Sequence, residues 1–193
     1  MTSIARLRLA ALALTAGLLA SCATAPKQAG TGNAVPVAQA QLPYEWTHGH
    51  APRATKEAQA LFGTVAMKPG QYRWATTIPD APARVIIDRM QQLMFVYKGD
   101  TLVGVTTISS GKKGKETPLG YWKVFRKQVK GFSRKYDNAP MPYMQMYDPM
   151  GIAFHAGALP GYPASHGCVR LPLEFAKKLY GLTTNGTEVV IEG

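Results

Sequence analysis

The sequence predicts a mainly β fold: one compact domain on an N-terminal tether. Three observations lead there. From about residue 82 onward, β-branched and aromatic runs alternate with turn dipeptides. Only two segments read as short helices, and residues 23 to about 45 are an Ala, Gln, Gly and Pro-rich stretch with no periodic apolar face. No internal repeat is evident in the 193 residues, and the folded remainder suffices for one domain.

The chain opens with Arg6 and Arg8, followed by an apolar run from Leu9 to Ala20. That run is too short to span a bilayer comfortably and has the order of an export signal over residues 1–21. It closes on Leu19-Ala20-Ser21-Cys22, the pattern of a bacterial lipoprotein whose cysteine is processed and acylated. The alternative is a plain signal peptide cut near Ala23-Thr24-Ala25. Either way the rest of the chain is expected outside the cytoplasm. Lipidation at Cys22 would give stable anchoring, because each buried methylene contributes ~0.8 kcal/mol. Ala23 after Cys22 points to the outer membrane and the periplasmic side of the envelope.

Residues 22–80 then form a tether and extension, with a short helix expected over residues 53–62 and stopped near Gly63. The domain proper is expected over residues 81–193. Val85 to Ile87, Leu93 to Tyr97 and Leu102 to Ile108 read as strands, the last two joined by a Lys98-Gly99-Asp100 hairpin turn. Tyr121 to Phe125 and Gly151 to Phe154 read as further strands, and Thr187 to Ile191 as a closing one after the Asn185-Gly186 turn. A helix is marked over residues 172–180. Pro172 stands at its first position, Leu171, Phe175 and Leu179 recur at a spacing of four, and Gly181 reads as the stop.

The formal net charge is +11, and removal of residues 1–21 takes away two arginines and no acid, leaving +9. No arginine-rich helix or aromatic-interleaved basic repeat argues for nucleic acid. The positive charge fits attraction to anionic envelope surfaces, including carboxylate-rich peptidoglycan.

Two cysteines are present. With Cys22 committed to processing, Cys168 has no disulfide partner, and an unpaired thiol in an oxidising compartment suggests one kept for chemistry. A thiol with its ordinary pKa near 8.5 is mostly protonated at neutral pH and needs an imidazole to take its proton. His166 precedes it by two positions, and His155 precedes it by 13. Gly157, Pro160, Gly161 and Pro163 would let the intervening loop fold back and set the His155 ring beside the sulfur. Gly167, without a side chain, would let the backbone N–H groups of Gly167 and Cys168 approach a developing oxyanion.

His155, then Ser165-His166-Gly167-Cys168, together with the Gly111-to-Gly120 run ending in Thr117-Pro118-Leu119-Gly120, resembles the L,D-transpeptidases with a YkuD-type catalytic domain. The resemblance extends from about Arg84 to Ile191. Pro140-Met141-Pro142-Tyr143-Met144 and Gly161-Tyr162-Pro163 are similar to a proteobacterial, lipoprotein-like branch. It implies a β-sandwich or barrel domain in which Cys168 is the nucleophile and His155 the general base. Ser165, His166, Gly167 and Arg170 would shape the pocket and oxyanion site. It also implies peptidoglycan stem peptides as substrate, release of D-alanine through a Cys168 thioester, acylation by carbapenems, and no cofactor or metal. The acyl acceptor would be a second stem, a lysine of a wall-bound protein, or water. Ala156 cannot orient the imidazole through a side chain, so a backbone carbonyl must serve.

Three alternatives come from the same residues: a carboxypeptidase or amidase using Cys168, a zinc amidase with His155, His166 and Cys168 as ligands, and a non-catalytic wall-binding lipoprotein. The glycine-rich run fails the phosphate-loop pattern, because Ser109 stands where its first glycine is required. His48-Gly49-His50 reads as a solvated turn rather than a metal site.

Overall fold

The computed structural model describes residues 44–193. The export signal, Cys22 and most of the expected tether lie outside the described residues. Helix α1 (His50–Phe62) is followed by β1 (Tyr72–Trp74), β2 (Ala83–Asp88), β3 (Leu93–Lys98) and β4 (Thr101–Thr107). Next come β5 (Gly120–Lys123), β6 (Arg126–Phe132), β7 (Pro140–Met146), β8 (Ala153–Ala156) and β9 (Val169–Leu171), then helix α2 (Leu173–Leu182) and β10 (Glu188–Glu192). The strands form a six-stranded sheet, ordered β1-β4-β3-β2-β10-β5, and a four-stranded sheet, ordered β6-β7-β8-β9.

The middle strands of the larger sheet are apolar on both faces because both faces are covered. Ile86, Phe95, Val105 and Val190 pack against the alanine stripe of α1, Ala51, Ala54 and Ala58, whose three-and-four spacing puts it on one side of the helix. Alternate residues, including Val85, Ile87, Val96 and Val189, face the other way into a core shared with Phe154, Val169, Leu171 and α2. Phe175 of α2 is fully buried there and meets the rings of Tyr72 and Trp74 edge-on, with centroids 5.7 and 5.0 Å away. The inner face of the smaller sheet and α2 therefore belong to the same core, which leaves the smaller sheet's outer face free.

The expected strands at 85–87, 93–97, 102–108, 121–125, 151–154 and 187–191 all coincide with strands, with ends shifted by a few residues. The two-residue loop after Lys98 turns at Gly99, whose φ is +59°. Four strands are additional: β1, β6, β7 and β9. β6 is an edge strand rich in lysine and glutamine, and β7 carries two prolines, so neither has the β-branched texture that marks a strand in sequence. At α2 the expectation is corrected at both ends. Pro172 is the N-cap, with ψ 141°, and the helix runs through Gly181 to Leu182. Gly181 meets nothing within 4 Å of where a Cβ would stand, so it is simply tolerated in the last turn.

Residues 44–80 add more than an extension. β1 pairs antiparallel with β4, and Trp46 exchanges backbone hydrogen bonds with Gly193 at 2.8 and 3.1 Å. Tyr44 donates to Asp88 at 2.5 Å. Glu192, fully buried, accepts from the backbone N–H groups of His48 (2.7 Å), His50 (3.2 Å) and Ala51 (2.7 Å) and from the Thr47 hydroxyl (2.9 Å). A carboxylate on the closing strand thus satisfies the open N–H groups at the start of α1. The packed unit begins ahead of residue 81 because its outer core needs α1 to cover it.

Candidate active site

Strand pairing sets the geometry of the site. β8 and β9 run parallel, with Phe154 opposite Val169 and His155 opposite Arg170. Phe154 and Val169 are core residues, so by the two-residue alternation of a strand His155 and Arg170 face outward. Cys168, two residues before Arg170, lies on that same outward face, packed with Met141, Met144, Met146 and Ala153. His155 and Cys168 therefore share one face, Cys168 lying just ahead of β9 and two residues before Arg170, the partner of His155. The thiol is half-buried at the edge of a cavity of about 670 Å³ with a methionine-lined wall and a rim that includes Lys115, Arg134 and Lys135.

The imidazole is held by its neighbour's backbone. His155 is 7% exposed, and its Nδ1 lies 2.8 Å from the Ala156 carbonyl oxygen. A carbonyl only accepts, so Nδ1 carries the proton and Nε2 is left as a base. Burial pushes the His155 pKa down and the nearby Arg170 charge pushes it further, against the pull of the Ala156 carbonyl. Burial pushes the Cys168 thiol up, opposed by the Ala153 N–H and by Arg170. Both shifts favour the neutral forms, imidazole and thiol.

The loop before Cys168 is braced from two sides. Ser165, 2% exposed, accepts the Gly167 N–H at 3.0 Å and donates to the Cys168 carbonyl. The Gly167 N–H is thereby occupied, which corrects the expectation that it approaches an oxyanion. Ser165 fixes the turn rather than lining the pocket, whereas the Cys168 N–H has no partner among the described residues. Gly167 has φ +119°, a conformation that L side chains rarely adopt. His166 is exposed and stacks on Tyr136 of the β6–β7 hairpin, with centroids 4.5 Å apart and planes at 24°. It forms part of the wall of the cavity that Cys168 lines.

The glycine-rich run supports this loop. Lys112 donates to the Ser165 carbonyl at 3.0 Å, and Ala164 and Ser165 both donate to the Ser110 carbonyl at 3.0 Å. Thr117, fully buried, accepts the Gly111 N–H at 2.9 Å and donates to the Gly167 carbonyl at 2.8 Å. Sequence reading passed over this role of Thr117. The one available signal was a threonine just before a proline in a glycine-rich loop. The stem of Arg170 packs under Gly157, where an added Cβ would stand 3.1 Å from its Cγ.

Residues 82–191, more than half of the chain, match the family profile described as the L,D-transpeptidase catalytic domain, YkuD. The chain belongs to the YkuD family. A solved L,D-transpeptidase from Stackebrandtia nassauensis is similar at 29% identity and a TM-score of 0.55, over 61% of this chain and 58% of that one. One from Mycobacterium tuberculosis H37Rv has 20% identity and a TM-score of 0.55, over 57% of each chain, and speaks to the fold alone. An Enterococcus faecium L,D-transpeptidase has 27% identity and a TM-score of 0.50, over 59% of this chain and 50% of that one. The YkuD chain described here thus spans less than two thirds of these structures. No curated protein matches it.

Among the described residues no group of three or more His, Cys, Asp or Glu is arranged to hold a metal ion. His155, His166 and Cys168, the ligand set of a zinc amidase, do not form such a group among the described residues. His48 and His50 pack against the Tyr121 ring, with centroids 5.7 and 5.9 Å away.

Proposed function

We propose that this YkuD protein transfers acyl groups of peptidoglycan stem peptides through a thioester at Cys168, releasing D-alanine. The observation that carries the reading is the His155 ring, held by the Ala156 carbonyl with its basic nitrogen free on the face that bears Cys168. The Cys168 proton passes to Nε2 of His155 as sulfur attacks the carbonyl of the third, diamino-acid residue. The resulting oxyanion faces the Cys168 N–H, the kind of donor whose removal costs ~10²-fold or more in rate. Collapse expels D-alanine, whose nitrogen takes the proton from the imidazolium. The second half runs in reverse. An amine loses its proton to His155, attacks the thioester, and frees the thiol.

A signal peptide over residues 1–21 and acylation at Cys22 would deliver this activity to the periplasmic side of the envelope, on the outer membrane. A lipoprotein-like branch of the family suits the sequence motifs that surround Cys168. Incubating the protein with tetrapeptide muropeptides, followed by mass spectrometry, tests the reaction. Loss of D-alanine with a dimeric product supports transfer, loss without dimer marks a carboxypeptidase, and no change with an intact fold sinks both. Cys168→Ala must abolish whichever is seen.

A further inference from the structure

The outer face of the smaller sheet presents its side chains in rows that cross the strands. Arg126 on β6 is opposite Met146 on β7, and Met146 is opposite Ala153 on β8. One step before the Phe154 and Val169 pair, Ala153 stands beside Cys168. Arg126 and Cys168 are therefore the two ends of a single row, three inter-strand steps or about 14 Å apart. Arg126, Met146 and Cys168 line one cavity, as does Gln128, the next outward residue of β6.

The neighbour of Arg126 shows that this orientation is specific. Lys127 turns to the opposite face and donates to the Tyr180 carbonyl at 2.7 Å and the Thr183 carbonyl at 2.5 Å, capping α2. Arg126 has no such employment. The two ion pairs among the described residues join Arg53 to Glu57 and Arg89 to Glu45, and the half-buried Arg126 guanidinium has no hydrogen-bond acceptor there. The nearest acids in the cavity wall are engaged elsewhere, Asp148 with the Met150 N–H at 2.5 Å and Glu116 with the Gly114 N–H at 2.6 Å. A planar cation in a methionine-lined wall, in no ion pair among the described residues, is matched to an incoming carboxylate that accepts two parallel hydrogen bonds.

We propose that Arg126 is a specificity-determining residue that receives an internal carboxylate of the acyl donor, an inference that rests on the stem-peptide reading above. The spacing selects which carboxylate. An extended peptide advances about 3.3–3.6 Å per residue, so the row spans roughly four residues. The carboxylate of the departing alanine is one residue from the attacked carbonyl. The second residue of a stem, a glutamyl unit linked through its side-chain carboxyl, keeps its α-carboxylate free on the acyl side about two residues from the attacked carbonyl, and the Arg126 side chain covers the rest of the row by reaching back toward Cys168.

The test is calorimetric binding to the full chain carrying Cys168→Ala, which separates recognition from turnover. The probes are two tetrapeptide stems, with the α-carboxylate of the glutamyl residue free or converted to a carboxamide. The free acid binds tighter on the order of tenfold, as expected for losing a hydrogen bond to a charged group. Adding Arg126→Gln brings that ratio close to one, and Arg126→Lys, which keeps the charge but not the fork, lowers it partway and serves if the glutamine variant fails to fold. Three results overturn the proposal: a ratio unchanged by either substitution, a preference that follows the alanine carboxylate instead, or no binding of either stem. If the ratio behaves as expected but the native enzyme forms no thioester with a stem, the acyl-transfer reading fails and the recognition site stands.

Discussion

Thr117 donates a hydrogen bond of 2.8 Å to the carbonyl of Gly167, one residue before Cys168, while accepting the Gly111 N–H. One buried hydroxyl thus couples the glycine-rich run to the loop that aims Cys168. Thr117→Val preserves shape and removes both bonds, leaving a buried N–H and a buried carbonyl unpaired at about 1–3 kcal/mol each. The expected outcome is a lower Tm and a fall in kcat on the order of 10²-fold, because a shift of about 1 Å in a reacting group costs that much. Thr117→Ser should recover most of both. A Thr117→Val enzyme with native kcat would show that the loop holds itself.

The pH profile should be a broad plateau. His155 must be neutral to act, and its pKa lies below the ordinary 6.5 because of burial and Arg170. Activity is therefore retained as pH falls past 6.5 and is lost only through the depressed value. The thiol is pushed above its ordinary value by burial, so alkylation by iodoacetamide should stay slow at neutral pH and accelerate only in alkali. Arg170→Gln removes a positive charge that lowers both groups, and the acid limb of kcat/KM should move to higher pH. Fast alkylation at pH 6 would instead mean a thiolate paired with imidazolium.

Gly111 has no room for a side chain. An added Cβ would stand 1.9 Å from the Lys115 carbonyl oxygen and 2.7 Å from the Thr117 nitrogen, both backbone atoms. Gly111→Ala should destabilise the protein by roughly 1–3 kcal/mol, as overpacking does, and lower kcat by displacing the support of Cys168. Melting curves and steady-state rates read the two effects. A variant with native Tm would show that this segment moves freely.

Glu192 ties the start of α1 to the closing strand. Burial pushes its carboxyl up, but the Ala51, His48 and His50 N–H groups and the Thr47 hydroxyl together hold it below the ordinary range. A depressed folded pKa stabilises the fold above the unfolded value of about 4.3 and loses that contribution as pH falls through the folded one. Glu192→Gln should thus lower Tm at pH 7, and the gap from the native protein should narrow toward pH 3. A gap constant with pH would locate the effect in packing instead.

The sequence by itself carried the mainly β character, the two helices and the family motif around Cys168, because strands buried on both faces are written as unbroken apolar runs and Cys168 sits in a glycine-flanked motif. It also carried the need for a backbone carbonyl behind His155, since Ala156 offers no polar side chain. The tertiary structure decided the rest. β6 and β7 have polar or proline-bearing sequences, and β9 is three residues long with its partner strand 15 residues away, so none gives a local sign of its pairing. The placement of His155 on the face of Cys168 and the alignment of Arg126 with its row follow from strand register. Register is fixed by which faces find a core to bury against, a property of the assembled sheets that no window of residues contains.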